Sequence, residues 1–113
     1  TACVERLAYE TIDTAAGLAG GDVFATGGGS RSDVWSQIRA DVTGRTIHRP
    51  ACPESAFGSA VLAAAGETGG DLWDTAGEMV RMEASFAPDS GRAAVYADLY
   101  AQLLDKLRER GWR

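Results

Sequence analysis

Three consecutive glycines, Gly27 to Gly29, separate a strand-like run from a helix-like run and constrain this chain more than any other feature. The preceding run, residues 22–26, is short, partly β-branched or aromatic, and bounded by glycines, which is typical of a buried strand. Glycines allow positive φ angles and carry no Cβ, and the N–H groups at the start of the next helix favour an anion. The sequence therefore predicts a strand–turn–helix unit that brings its backbone close to a ligand.

Apolar spacing predicts five helices and two strands along the chain. Ser30 and Asp33 match a capping box for the second helix, Pro53 suits the first position of the third, and Arg113 lies near the negative end of the last. Gly58, inside the third helix, is expected to mark a close approach of another backbone. The predicted helices cover about residues 2–18, 31–43, 53–66, 72–82 and 91–110; the predicted strands are 22–26 and 46–49, and 84–90 is expected to be extended.

The strand–helix–strand order favours a parallel pair with a right-handed crossover. Parallel sheets need several strands and covered faces, and two strands are too few to form one. We therefore expect the chain to be the carboxy-terminal piece of a larger α/β unit. It should expose apolar surface, or cover that surface by self-association, for example in a homodimer.

Composition excludes several classes of partner and site. A formal net charge of −5 and a pI near 4.7 make nucleic acid and anionic membranes poor partners. Cys3 and Cys52 have no metal-ligand spacing, and His48 is the single histidine, so we expect free thiols and no metal site. Free thiols, and the absence of a bilayer-length apolar run or a signal pattern, favour a soluble cytoplasmic protein.

Two familiar phosphate-binding motifs fit the glycines poorly. A P-loop needs a lysine directly after its glycines, and Lys106 is the one lysine of the chain. A dinucleotide fingerprint would need glycine where Ser32 stands and an acidic ribose ligand about 20 residues further on. Arg49 could instead take a 2′-phosphate, so a dinucleotide-binding module stays open as an alternative, as do a non-catalytic interaction domain and a tight turn without ligand.

Several blocks at consistent separations resemble one protein family. The sequence from Ala25 to Trp35, together with the blocks around Gly44, Arg49-Pro50 and Glu54 to Ala60, is similar to the carboxy-terminal domain of FGGY-family carbohydrate kinases. The closing Phe86 to Asp89 and the final helix resemble the xylulokinase-like pentulose kinases of that family. The resemblance covers most of the chain and identifies residues 1–113 as the C-terminal portion of the nucleotide-binding domain.

The resemblance implies an α/β fold that is part of an actin-like, ribonuclease-H-like ATPase domain. It also implies MgATP as phosphoryl donor and a sugar as acceptor, a ketopentose such as xylulose or ribulose, bound through an amino-terminal domain that this chain does not contain. Nothing here matches the family's general base, so no residue is assigned as catalytic or as a metal ligand, and the isolated chain is expected to be inactive. The nucleotide-binding residues that the resemblance implies are Gly27 and Gly28, then Ser32 on the base or ribose, with Gly29, Ser30 and Arg31 as secondary candidates.

Some of these residues also have structural interpretations. Ser32 could cap the second helix together with Ser30. Asp33 is expected to cap that helix or to interact favourably with its dipole. Asp41 is expected to face solvent or to cap locally. Glu54 is interpreted as a first-turn helix charge and His48 as structural, with no carboxylate at an obvious spacing. The aromatic residues Trp35, Trp73, Tyr96 and Tyr100 are expected to pack between elements, and Trp35 could instead border the ligand.

Overall fold

The computed structural model describes residues 1–18 and 20–112, which form five α-helices, one 3₁₀ turn and three strands. The five predicted helices are confirmed, with small differences at their ends. Arg113, which the sequence places near the end of the last helix, lies outside the described residues. The elements are α1 (Ala2–Ala16), β1 (Val23–Phe24), the turn Gly28–Arg31, α2 (Asp33–Thr43), β2 (Ile47–Pro50), α3 (Ser55–Thr68), α4 (Leu72–Met79), β3 (Met82–Phe86) and α5 (Ser90–Glu109).

Short polar side chains set the starts of the last two helices. The Asp71 carboxylate accepts hydrogen bonds from the backbone at the start of α4, and Asp89 does the same for α5. The prediction that Pro53 opens the third helix is wrong, because α3 begins at Ser55 with Glu54 as its N-cap. Pro53 instead lies in the connection between β2 and α3, where its carbonyl accepts a hydrogen bond from the Gly27 N–H.

The three strands form one mixed sheet in the order β1–β2–β3. β1 and β2 are parallel, with Val23 opposite Ile47, so the predicted parallel pair is confirmed. The prediction of only two strands is wrong: Met82–Phe86, assigned partly to a helix and partly to an extended segment, is a strand that pairs antiparallel with β2. Five residues carry little periodic signal, and their pairing with β2 is a tertiary effect.

One face of this sheet is covered by α2 and holds the core. Ala25, Ala40 and Ile47 are buried together there, and Val23 and Phe86 pack against them. Ile47 is fully buried. Since side chains alternate along a strand, the residues between these, Phe24 and His48, lie on the opposite face.

That opposite face opens into an apolar groove. Its walls come from α3 and α4 and its floor from Phe24, Pro50 and Met82, and it encloses about 780 Å³. Phe24 is 62% exposed and Trp73 82% exposed, so the predicted exposed apolar surface is confirmed, whereas the predicted packing of Trp73 is wrong.

The prediction for Gly58 is also wrong, since a Cβ on it would meet nothing within 4 Å; the residue lines this groove. The radius of gyration, 16.8 Å, exceeds the roughly 13 Å of a compact 100-residue domain.

Candidate functional site

The glycine turn leaves the parallel strand pair in a direction fixed by two hydrogen bonds. Ala25 N–H donates to the His48 carbonyl at 2.8 Å and so extends the ladder of β1 by one step. Gly27 has φ +81°, which favours glycine, and its N–H donates to the Pro53 carbonyl at 2.7 Å. The turn is therefore joined to the connection between β2 and α3.

The next four residues, Gly28–Arg31, form a single 3₁₀ turn. Both the N–H and the hydroxyl of Ser30 donate to the Gly27 carbonyl, at 3.1 and 2.6 Å. Ser30 is 1% exposed and lies inside the turn, so its hydroxyl shapes the loop. The N–H groups of Gly28 and Gly29 come first in this turn and have no partner within it.

Ser32, not Ser30, caps α2. Its hydroxyl oxygen accepts the Trp35 N–H at 3.2 Å, and Ser36 N–H donates to the Ser32 carbonyl at 2.9 Å. The predicted Ser30–Asp33 capping box is therefore wrong, because the 3₁₀ turn delays the start of the helix by two residues. A hydroxyl that accepts one bond still has a proton to donate, so capping leaves Ser32 able to bind a ligand.

The space above the first two glycines is open. A Cβ built on Gly27 or Gly28 would meet nothing within 4 Å, whereas one on Gly29 would lie 3.9 Å from the Trp35 ring. Trp35 is half-buried and its ring borders the turn. A flat or anionic group can therefore approach bare backbone beside an aromatic ring.

Arg49 lies beneath the turn on the covered face of the sheet. Its Nη1 donates to the Ser30 carbonyl at 3.2 Å and to the Asp33 carboxylate at 2.7 Å, and its Nε donates to Glu83 at 2.9 Å. The guanidinium carbon is 5.6 Å from the centre of the Phe86 ring. The hydrogen bond to Asp33 raises the pKa of Arg49 further above its ordinary value, so the side chain stays cationic.

Two of the sequence-predicted residues meet at the outer side of the turn. Arg31 donates to the Glu54 carboxylate in an exposed ion pair. Glu54 is the N-cap of α3, where the sequence predicted a first-turn charge. This pair and the bond from Gly27 to Pro53 join the turn to the residues that directly precede α3.

Sequence reasoning missed a small polar cluster at the end of the sheet. His48 Nδ1 lies 2.8 Å from the Ser85 hydroxyl, and His48 Nε2 lies 3.0 Å from the Asp22 carboxylate. Phe24 stacks on the imidazole at 5.2 Å. No carboxylate stands at an obvious spacing from His48 in the sequence, and it is strand pairing that brings Asp22 close. The alternation of side chains places Asp22, Phe24 and His48 on one face only once that pairing is known.

The apolar groove was also missed as a defined feature. Two of its exposed residues, Leu62 and Trp73, come from α3 and α4, whose packing is not visible in local periodicity. Cys52 lies at its edge as a free, exposed thiol, and Cys3 is a free thiol in α1.

Within residues 1–18 and 20–112, no group of three or more His, Cys, Asp or Glu side chains is arranged to hold a metal ion. None of the helices in that part of the chain combines the length and apolar character needed to cross a membrane.

Comparison with known proteins gives the chain a context. Residues 1–67 match the model of the FGGY family of carbohydrate kinases, C-terminal domain. The chain is 35% identical over 97 residues to an autoinducer-2 kinase from Salmonella paratyphi B, and 37% identical over 82 residues to one from Yersinia pestis. These matches cover 84% and 71% of this chain, but only 18% and 16% of those kinases.

Solved structures agree with this similarity. A xylulose kinase from Rhodospirillum rubrum superposes with a TM-score of 0.71 at 34% identity, over 99% of this chain and 24% of that one. A ligand-bound xylulose kinase from Lactobacillus acidophilus gives a TM-score of 0.67 at 22% identity, over 78% of this chain and 18% of that one, which supports the fold alone. The chain thus spans less than a quarter of the length of these proteins.

Proposed function

The chain belongs to the FGGY family of carbohydrate kinases, and from this premise we propose that the turn from Gly27 to Ser32 is one wall of an ATP site in a sugar kinase. The fold is the α/β, actin-like fold of its structural neighbours. In the intact enzyme, the ATP γ-phosphoryl group would be transferred to a sugar hydroxyl. We propose a ketopentose, such as xylulose or ribulose, as the acceptor.

The observation that carries this proposal is the open space above Gly27 and Gly28. It lies next to N–H groups with no partner inside the turn and beside the Trp35 ring. The adenosine part and the α-phosphate could lie against this backbone without touching a cationic side chain, since the start of α2 adds a favourable dipole. We place Gly27, Gly28 and Ser32 in contact with the nucleotide, with Gly29, Ser30 and Arg31 shaping the edge of the site.

Bound MgATP would supply the activated phosphoryl group and the cation that neutralises its charge. The described residues bring no three His, Cys, Asp or Glu side chains together, and we assign no Mg²⁺ ligand to this chain. The role of this chain is to bind and orient the nucleotide. Phosphoryl transfer also needs groups that position the acceptor and accept its proton, and we assign none of them to these residues.

A dinucleotide-binding module is less well supported by the geometry. It depended on Arg49 taking a 2′-phosphate, but that guanidinium is 12% exposed and is engaged by Asp33, Glu83 and the Ser30 carbonyl. A new phosphate would have to displace two carboxylates. We therefore retain adenine mononucleotide as the ligand class.

Calorimetric titration with ATP, ADP and NADP tests this proposal. We expect ATP and ADP to bind weakly and NADP to show no advantage over them. Gly28→Val fills the open space and should weaken ADP binding by about tenfold or more, which corresponds to about 1.4 kcal/mol. Gly66→Val is the matched control, because Gly66 also has no neighbour within 4 Å but lies in α3, away from the turn.

Two results would contradict the proposal: equal ADP affinity in Gly28→Val and the unaltered chain, or a preference for NADP. A turnover assay adds a separate check. We expect this chain alone to give no ATP-dependent phosphorylation of D-xylulose or D-ribulose, and measurable product would show that the assigned division of roles is wrong.

A further inference from the structure

The proposed site has an electrostatic problem at Asp33. This carboxylate is the first residue of α2 and its side chain is 72% exposed, beside the backbone where an anionic phosphate would lie. A negative side chain at a helix N-terminus stabilises the free helix but repels an incoming phosphate. Some group must offset Asp33 if the turn is to hold a nucleotide.

Arg49 is placed to do this from the opposite side. Its Nη1 reaches both the Asp33 carboxylate, at 2.7 Å, and the Ser30 carbonyl, at 3.2 Å. One guanidinium nitrogen thus contacts the helix start and the middle of the 3₁₀ turn at once. Ser36 supports the same carbonyl, since its hydroxyl lies 3.5 Å from it.

The second arm of the guanidinium fixes this orientation. Nε donates to Glu83 on β3 at 2.9 Å, and the guanidinium carbon lies over the Phe86 ring, 5.6 Å from its centre. An ammonium on a lysine side chain is a point charge and cannot reproduce this fork with its stacking. The arrangement is therefore specific to arginine, and it connects the far strand of the sheet to the glycine turn.

We propose that Arg49 is a positioning residue of the nucleotide site: it holds the Ser30 carbonyl, and with it the glycine turn, while neutralising Asp33 so that the start of α2 can accept a phosphate. The inference rests on the proposed function. Arg49 touches no reacting atom in this scheme and acts through Ser30 and Asp33.

A charge-rescue series on the full 113-residue chain tests the inference, with ADP affinity as the readout. Arg49→Met leaves Asp33 uncompensated and should weaken ADP binding about tenfold, the size of effect that one neighbouring charge partly screened by solvent produces. Adding Asp33→Asn to that variant removes the repelling carboxylate and should recover most of the loss. Arg49→Lys keeps the charge without the fork and should fall between the unaltered chain and Arg49→Met.

Arg45→Met is the matched control. Arg45 is similarly buried, at 16% exposed, pairs with the Asp13 carboxylate, and lies over the Tyr9 ring at 4.9 Å, far from the turn. Its loss should lower thermal stability and leave ADP affinity unchanged. The backbone amide shifts of Gly28 and Gly29 in the free chain should move in Arg49→Met and stay in place in Arg45→Met.

The outcomes separate this inference from the function beneath it. Absence of ADP binding in the unaltered chain would overturn the proposed function and this role with it. Normal binding in the unaltered chain with full affinity in Arg49→Met would overturn the role of Arg49 alone. The same holds if Asp33→Asn gives no rescue, or if Arg45→Met weakens ADP binding as much, because Arg49 would then act only through general stability.

Discussion

The two faces of the three-stranded sheet differ in what lies against them, although both carry apolar side chains. On one face α2 packs over Ile47 and Ala25, and the charged groups nearby are paired within the chain. On the other, Phe24 lines a groove whose walls expose Leu62 and Trp73. The first face is covered by a helix of the same chain. The second is open and apolar, as interaction surfaces are.

The glycine turn lies where these two regions meet. Ser36 and Arg49 hold it from the covered face, and the Pro53 carbonyl and Glu54 hold it from the side of α3. A site on this boundary has rigid support on one side and open space on the other. This difference suits a turn that must present fixed N–H groups to a ligand.

The largest expected effect is on the covered face. Ile47→Ala removes a fully buried side chain and should lower the free energy of unfolding by about 3 kcal/mol. Leu62→Ala, an aliphatic truncation of similar size in the groove, should change it by less than about 0.5 kcal/mol, because Leu62 is 60% exposed. Urea denaturation of both variants measures the contrast, and equal losses would show that the groove is part of the core.

A smaller effect is expected at Asp41, which joins α2 to α5. Its buried carboxylate accepts the Asp89 N–H at 2.8 Å and Gln37 Nε2 at 2.9 Å, and lies 3.0 Å from Arg92 Nε. Asp41→Ala should cost about 2 kcal/mol, because the Asp89 N–H and Gln37 amide lose a charged acceptor.

The exposed Asp105, paired with Arg108, provides the control for Asp41. Asp105→Ala should cost less than about 1 kcal/mol. If Asp41→Ala and Asp105→Ala unfold at the same temperature in thermal melts, Asp41 does not have this structural role.

Changes in the groove should alter surface behaviour more than stability. Trp73→Ser removes the most exposed wall of the groove and should reduce binding of a hydrophobic fluorescent dye, with a change in unfolding free energy of at most about 0.5 kcal/mol. Trp112→Ser is the control, since Trp112 is 71% exposed but lies outside the groove. Equal loss of dye fluorescence in both variants would mean that the groove has no special affinity for apolar molecules.

The smallest effect concerns pH, on the covered side of the molecule. Burial raises the pKa of Glu5, whereas hydrogen bonds from Arg39 and Tyr9 lower it. The hydrogen bonds and the positive charge of Arg39 together outweigh burial, so the folded-state pKa lies below the ordinary glutamate value. Its contribution to stability is therefore present above the unfolded-state pKa and is lost as pH falls through the folded-state pKa. Glu5→Gln should flatten this acid limb of a stability–pH curve, and Glu109→Gln, an exposed partner of Lys106, should leave it unchanged. An acid limb that keeps its slope in Glu5→Gln would be inconsistent with this ion pair.

Local features of the sequence predicted the helices, the parallel strand pair and the position of the turn. They failed where a partner lies far along the chain. Asp33 and Arg49 are 16 positions apart, and His48 and Asp22 are 26 apart, so neither pair leaves a local pattern. Strand β3 was missed for the same reason.

The candidate site shows this limit within a few residues. Ser30 and Ser32 are both plausible helix caps by sequence, and only the 3₁₀ turn decides that Ser32 caps while Ser30 is buried. Asp41 was expected to face solvent or to cap locally, but it is buried against the start of α5, where its carboxylate accepts the Asp89 N–H. The position of the turn could be predicted from the glycines, because their conformational role is local. The groups that hold the turn in place could not be predicted, because they come from β2, β3 and the start of α3.

A nuclear magnetic resonance titration of the chain with ADP tests the central claim most directly. It reports whether a nucleotide contacts the glycine turn or the apolar groove. The account predicts that the largest amide shifts fall on Gly27 to Ser32 and on the Trp35 indole, with little change in α4. Shifts confined to the groove around Leu62 and Trp73, or no shifts at millimolar ADP, would contradict it.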